Sequence, residues 1–506
     1  MKSHSTSVSQ QILEHIDLWT ASHPKILWIE LTSKCPFQCL FCMRKESRHP
    51  GEHMDFGLLQ RILEQLRSPE IIRLNNAGES IHYPHLIDAI RMSKRTGARI
   101  ELVTTLASAP LELLPELMHS GLDQLTVSLH AIDPVQYQRI YGFASFDALD
   151  QRLRRLLQQR AEEQSSTPGI NISFVATKEN LQALPQVSHY AQELGIDEIQ
   201  VHRVIWRDPA KQLFTYELHS NRLTPAFRQE LEETVERTRC LFPGLALVYA
   251  NNALDAAIAP GEQPAFFSQD LPSGCCIADC IENPWETVNI YSNGDILACG
   301  CRSSQQALGN LNSQSLTEVW WGSSFRHFRA EYFLGQDQNC CQCPWKKIFV
   351  PTTFHAELPH SGGWSWQLMR GWYHEEKSPA IWSKPEAAAM LASNGTFLRP
   401  KISLTGFLPN PTRATPNRLE VFCNGIPAGS VVNHNHRMLE FAMTIPVPSG
   451  TDPPYCLQFK TEKCYCPNQH EDSPDIRRLG FALCRLAVVG EKRSRAYRLW
   501  AGLFAK

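Results

Sequence analysis

Three thiols stand within eight residues of the stretch LTSKCPFQCLFCMRKE (31–46): Cys35, Cys39 and Cys42, spaced C-x3-C-x2-C. A closed structural metal site wants four ligands, usually as two pairs. No further cysteine follows before Cys240, so the spacing points to a metal centre with one position left open. The chain has 17 cysteines, and they cluster: these three, eight between 275 and 343, five between 423 and 484, and Cys240 alone. A secreted disulfide scaffold would be short and would carry an export signal. Reduced thiols grouped in this way read as metal ligands, and the C-terminal five read as small buried apolar side chains.

The cysteine loop needs elements to hold it. Residues 25–206 repeat one rhythm, in which short apolar runs (KILWIEL, EIIRLNN, ARIELVTT, LDQLTVSLH, INISFVAT, EIQVHRVIW) alternate with amphipathic stretches such as DFGLLQRILEQLRS. Strand-length runs alternating with a 3.6-residue period indicate βα units around a parallel sheet. Six strands fit a partial (β/α)6 barrel, with chemistry expected at the C-terminal strand ends, where the cysteine loop lies. The expected organisation is an N-terminal helix (1–24), the α/β core (25–210), a connecting segment (211–274), a cysteine-rich domain (275–346), a Trp/Gly-rich connector (347–398) and an all-β sandwich (399–506).

A net charge of -2 argues against a nucleic-acid partner, which would need a basic surplus. The N-terminal MKSHSTSVSQQILEHIDLW lacks the apolar core of a signal peptide, and no apolar run approaches the ~20 residues of a membrane span. A soluble, cytoplasmic protein is expected.

The C-x3-C-x2-C loop, with Phe41 before its last cysteine, resembles the signature of the radical S-adenosylmethionine (radical SAM) superfamily over about residues 25–206. The resemblance implies that Cys35, Cys39 and Cys42 hold three irons of a [4Fe–4S] cluster and that S-adenosylmethionine chelates the fourth. The turn NNAGES stands where the family carries a Gly-Gly-Glu-Pro-like motif. It implies close ligand approach at Gly78, which has no Cβ, and an ammonium contact at Glu79, while Ala77 and Ser80 depart from the pattern. Ser128, ending the fourth strand, resembles a ribose contact, and Asn180 in VATKEN resembles another cosubstrate contact. His130 reads as a satisfied strand-end histidine, and Tyr141 occupies the place of an Arg in relatives.

The second cysteine set, in which Cys280, Gly294 and Cys299 follow one another as C-x13-G-x4-C and Cys340 and Cys343 form C-x2-C, resembles the auxiliary-cluster extension called SPASM, or its shorter form, twitch. It implies one auxiliary [4Fe–4S] cluster on Cys280, Cys299, Cys340 and Cys343, with Cys275, Cys276, Cys301 and Cys341 as spares; structural zinc is the alternative. The C-terminal region, with DIRRLG (Asp475–Gly480), resembles a small β-sandwich appended to polysaccharide enzymes. Together these imply an oxidoreductase or epimerase that takes a hydrogen atom from a sugar, glycan or other natural product, drawing electrons from a flavodoxin or ferredoxin. Maturation of a ribosomally made peptide is the enzymatic alternative, and a zinc- and carbohydrate-binding scaffold the non-enzymatic one.

Overall fold

The computed structural model describes residues 8–490 except 43, 45–50, 143–144, 197, 204–205, 209–212, 216–224, 250–264, 267–269, 301–306, 344, 352–353, 359–365, 374–379, 393–396, 398, 471–472, 474 and 476. Six parallel strands lie side by side in chain order: β1 (Ile26–Ile29), β2 (Ile71–Arg73), β3 (Arg99–Thr104), β4 (Gln124–Ser128), β5 (Gly169–Ala176) and β6 (Glu198–Arg203). Their two faces differ as a period of two requires. On β3, Ile100, Leu102 and Thr104 are buried, while Arg99, Glu101 and Val103 are half-buried on the other face. The helices between strands bury one apolar stripe, as Leu58, Leu59, Ile62 and Leu63 do in Phe56–Glu64. Asp55 starts that helix by accepting the Leu58 N–H at 2.8 Å, which satisfies one of the orphan donors at a helix start.

Four strands outside the expected six extend this sheet, with Asp295–Leu297 and Gly309–Asn310 lying antiparallel beyond Thr287–Ile290 at one edge. Ala246–Tyr249 pairs in parallel with β6, and Thr287–Ile290 pairs in parallel with β1, Trp28 lying opposite Asn289. An unpaired edge on a buried parallel sheet leaves backbone groups unsatisfied, and these segments cover both edges. The cysteine-rich region is therefore built onto the barrel and shares its hydrophobic core, in which Trp285, Val288, Ile290 and Phe333 pack with Trp19 and Leu27.

The C-terminal region forms one antiparallel sheet, where two stacked sheets were expected. Its strands run in the order Ile426–Asn433, Asn417–Cys423, Tyr455–Thr461, Ile381–Leu391, Ala482–Val489, Lys401–Leu408 and Leu439–Pro446, and the two end strands touch. The sheet is thus a nearly closed barrel. The cause is the strand Ile381–Leu391, from the stretch read as a connector: Glu386–Leu391 pairs with Tyr455–Lys460, while Ile381 and Trp382 pair with Leu483 and Ala482. One long strand joins what would otherwise be two sheets.

Ion pairs tie this barrel to the core. Glu386 meets Lys25 at 3.0 Å and Arg370 at 3.5 Å, and Lys384 meets Glu286 at 2.6 Å. Burial would raise the Glu286 carboxyl, but the Lys384 and Arg370 charges outweigh it and hold it below the usual carboxylate range. Among the described residues no helix is long and apolar enough to cross a membrane.

Candidate active site

The loop bearing Cys35, Cys39 and Cys42 leaves β1 and is held by backbone bonds on both flanks. Gln38 and Leu40 donate N–H groups to the carbonyls of Tyr141 and Ile140 at 3.0 Å each, at the end of helix Pro134–Tyr141. On the other side Ser33 N–H bonds Glu52 O at 2.9 Å, and Glu79 N–H bonds Lys34 O at 2.9 Å. Phe41 meets the His130 ring edge-to-face at 5.0 Å. All three thiols are half-buried. Burial first, then the neighbouring thiols and Glu79, push Cys39 up to about 12; burial, with Glu79 among the lesser causes, pushes Cys35 up to about 11. Thiolates at that cost need a cation among them, and a cluster bound through three irons would supply it.

The turn after β2 lies against this loop. A Cβ on Gly78 would overlap the Thr32 carbonyl oxygen and come within 2.9 Å of the Lys34 carbonyl oxygen. The close approach that requires glycine is therefore to the cysteine loop's own backbone, where ligand approach was expected. Glu79 is buried; its Oε2 accepts the Thr105 N–H and hydroxyl at 2.9 Å each, and Oε1 faces the Ile81 N–H at 3.4 Å. A carboxylate has about four acceptor positions, so room remains for a ligand donor. Three buried polar atoms beside it (Asn75 Oδ1, Asn76 Nδ2 and Ser80 Oγ) have no hydrogen-bond partner among the described residues. Buried polar atoms are seldom left so, and a polar cosubstrate fits the vacancy in bonding.

Ser128 stands half-buried at the end of β4, on the face opposite the buried Leu125 and Val127. Its carbonyl accepts the Tyr141 hydroxyl at 2.8 Å, so Tyr141 closes the helix onto the strand where a charged Arg was the family pattern. His130 is fully buried, burial pushes it down to about 3, and its Nδ1 accepts the Val175 N–H at 3.1 Å. It is a neutral packing residue, stacked 5.3 Å from Tyr141.

Asn180 departs from its expected role. Its Oδ1 accepts from the Thr177 N–H at 2.6 Å and hydroxyl at 2.9 Å, and its Nδ2 donates to the carbonyls of His130 and Val175 at 2.9 Å each. That uses both donors and both acceptor positions of the amide, so none is left for the cosubstrate. Asn180 braces the ends of β4 and β5. Asn180→Ala should cost about 2–4 kcal/mol, since it strands two buried carbonyls. Urea unfolding of the variant beside wild type measures this, and S-adenosylmethionine affinity per folded molecule should stay unchanged.

Cys280, Cys299, Cys340 and Cys343 line one cavity, closed further by Trp345 and Lys346. It offers about 40 Å³ to the centre of a water-sized sphere, several times the about 10–15 Å³ that one water needs. Burial pushes Cys343 up to about 12 and Cys280 well above the usual thiol range. Among the described residues no group of three His, Cys, Asp or Glu side chains converges as a site for a single metal ion. A cluster spaces its ligand sulfurs more widely than one ion does, and the donor set fits it. Of the spare cysteines, Cys276 faces Ser9 Oγ at 3.5 Å and Cys341 bonds Gln338 O at 3.2 Å; neither these nor Cys275 lines the cavity, and Cys301 lies outside the described residues.

Sequence reasoning missed Glu30. Buried after β1, it accepts the Ala77 N–H at 3.3 Å on one oxygen and the Ser292 hydroxyl at 2.8 Å on the other. One carboxylate thus joins the turn of Gly78 and Glu79 to the hairpin that leads to Cys299. Its only sequence signal is an acid closing an apolar run.

Residues 29–173 match the family model described as the Radical SAM superfamily, and residues 280–344 match SPASM, an iron-sulfur cluster-binding domain. The chain therefore carries a radical SAM domain joined to a SPASM domain, and the cofactors that these domains take are a [4Fe–4S] cluster, S-adenosylmethionine and an auxiliary iron–sulfur cluster. The tungsten-containing aldehyde ferredoxin oxidoreductase cofactor-modifying protein of Pyrococcus furiosus is 27% identical over 184 residues, 36% of this chain and 52% of that protein, so the match spans about half of that relative. The PqqA peptide cyclase of Gluconobacter oxydans is 23% identical over 331 residues, covering 63% of this chain and 83% of the cyclase. Among solved structures, Streptococcus suis SuiB bound to precursor peptide SuiA aligns with 64% of this chain and 70% of its own, at 16% identity and a TM-score of 0.47.

Proposed function

We propose that this radical SAM enzyme oxidises a ribosomally made peptide, forming a bond within it. The observation that carries this reading is the similarity to PqqA peptide cyclases, which runs through both the radical SAM and the SPASM domain. It replaces the sugar or glycan substrate expected from the C-terminal region. There the polar edges of DIRRLG are engaged internally: Asp475 takes Arg477 in a two-point pair, with Nε–Oδ1 at 2.9 Å and Nη2–Oδ2 at 2.6 Å.

When bound, the first cluster and S-adenosylmethionine supply a 5′-deoxyadenosyl radical that takes one hydrogen atom from a substrate carbon. Of the chain's own residues, Cys35, Cys39 and Cys42 would hold that cluster, Glu79 would receive the cosubstrate's ammonium group and Ser128 would meet its ribose hydroxyls. Closing a bond removes two hydrogens from the substrate, one as the atom taken and one as a proton and an electron. A cluster held by Cys280, Cys299, Cys340 and Cys343 would receive that electron, and an external flavodoxin or ferredoxin would supply the initiating one.

The test is anaerobic incubation of reconstituted enzyme with S-adenosylmethionine, a reductant and a short peptide encoded beside its gene. The expected result is one 5′-deoxyadenosine per peptide that loses two hydrogens by mass. Cosubstrate cleavage with no change in the peptide, but with oxidation of a sugar, would overturn the reading.

A further inference from the structure

Four of the five C-terminal cysteines form two contrasting pairs. Cys423 and Cys456 are fully buried in the sheet, as small apolar side chains should be. Cys464 and Cys466 are placed otherwise. Tyr465 between them exchanges two backbone hydrogen bonds with Leu479, at 2.7 and 2.8 Å. This fixes an extended segment, in which residues two apart point to one side. The Tyr465 ring stacks on His470 at 5.2 Å, and both thiols line the same cleft, within hydrogen-bond reach of each other. The cleft, of about 620 Å³, separates the C-terminal barrel from the starts of β1, β2 and β3, where Ile26, Ile71 and Arg99 form its other wall. None of the seven cluster cysteines reaches it. Arg478 directs its Nε at Cys464 Sγ from 3.3 Å, and Glu70, just before β2, lines the same cleft.

We propose that Cys464 and Cys466 are a redox-active dithiol, oxidised reversibly to an intrachain disulfide by a low-molecular-weight disulfide entering this cleft. Cys464 is half-exposed to the cleft and bears the arginine, so it attacks first; Cys466, more buried, resolves. The Cys464 thiolate attacks one sulfur of RS–SR, that S–S bond breaks, and one RS⁻ departs. Cys466 gives up its proton and attacks Cys464 Sγ, a second RS⁻ departs, and the two cysteine protons end on two RSH. The cysteines lose two electrons and the small disulfide gains two. In an extended chain the two Cα atoms lie about 6.6 Å apart, at the upper end of the about 4.4–6.8 Å that a disulfide spans, so closing the bond must bend the segment and draw the Cβ atoms to about 3.8 Å.

The experiment treats anaerobic holoprotein with oxidised glutathione, then alkylates it and maps its peptides by mass spectrometry. A peptide linked between Cys464 and Cys466, with iron content unchanged, is expected. Cys466→Ser should instead hold one glutathione on Cys464, and Arg478→Gln should slow that first step about tenfold. Full alkylation of Cys464 and Cys466 in treated wild type would overturn the proposal. So would glutathione on Cys466→Ser reaching Cys464 no faster than it reaches the exposed Cys240.

Discussion

Replacing Cys35, Cys39 and Cys42 together by alanine is expected to abolish 5′-deoxyadenosine formation and to lower iron in reconstituted protein from about eight to about four atoms per chain. The effect should be all-or-none in activity, because three ligands leave no redundancy: losing them removes the only described thiols on the loop after β1. The loop itself should survive. Its fixings are backbone bonds from Gln38, Leu40 and Ser33, together with Phe41 against His130, and none of these uses a sulfur. The auxiliary cavity should survive too, since its four cysteines come from other elements. Iron and acid-labile sulfide counts beside a 5′-deoxyadenosine assay measure both. Cosubstrate cleavage by the triple variant would mean that the radical is generated elsewhere. Iron falling from about four to none would mean that the second set holds no four-iron cluster.

The parts of this arrangement that are local in sequence were legible there. C-x3-C-x2-C states its own ligand count, and the alternation of buried and half-buried residues on β3 is written in RIELVT. What depends on pairing between distant segments was not. Thr287–Ile290 is four residues among turns and cysteines, and nothing in TVNI tells that it lies parallel to β1. The strand Ile381–Leu391 lay inside the stretch read as connector for its Trp and Gly content, and SKPEAA breaks its apolar run in the middle. That break falls where one pairing partner gives way to the other, so the feature that hid the strand is also what curves the barrel. Asn180 shows a third limit. Its position was identifiable by resemblance, but whether its amide faces ligand or backbone depends on carbonyls of β4 and β5 that no spacing reveals.

Gly78 separates two reasons for one residue, and Gly78→Ala tests them. If glycine were needed for ligand approach, alanine would leave the cluster in place and weaken only S-adenosylmethionine binding. The structure points to the other outcome. An added methyl would overlap the Thr32 carbonyl oxygen and crowd that of Lys34, both backbone atoms of the strand-to-loop junction, which cannot swing aside as a side chain can. The Glu79 N–H to Lys34 bond and the Ser33 N–H to Glu52 bond hold that junction, so relief must move the cysteine loop itself. Gly78→Ala should therefore lose about 2–4 kcal/mol of stability and fail to retain the first cluster, while iron at the auxiliary cavity persists. Gly244→Ala is the control, because its Cβ would meet only Gln192 Nε2 at 3.9 Å. Full iron and wild-type unfolding in Gly78→Ala, equal to the control, would return this glycine to the ligand. Loss of about half the iron would make it the wedge on which the open-site cluster is seated.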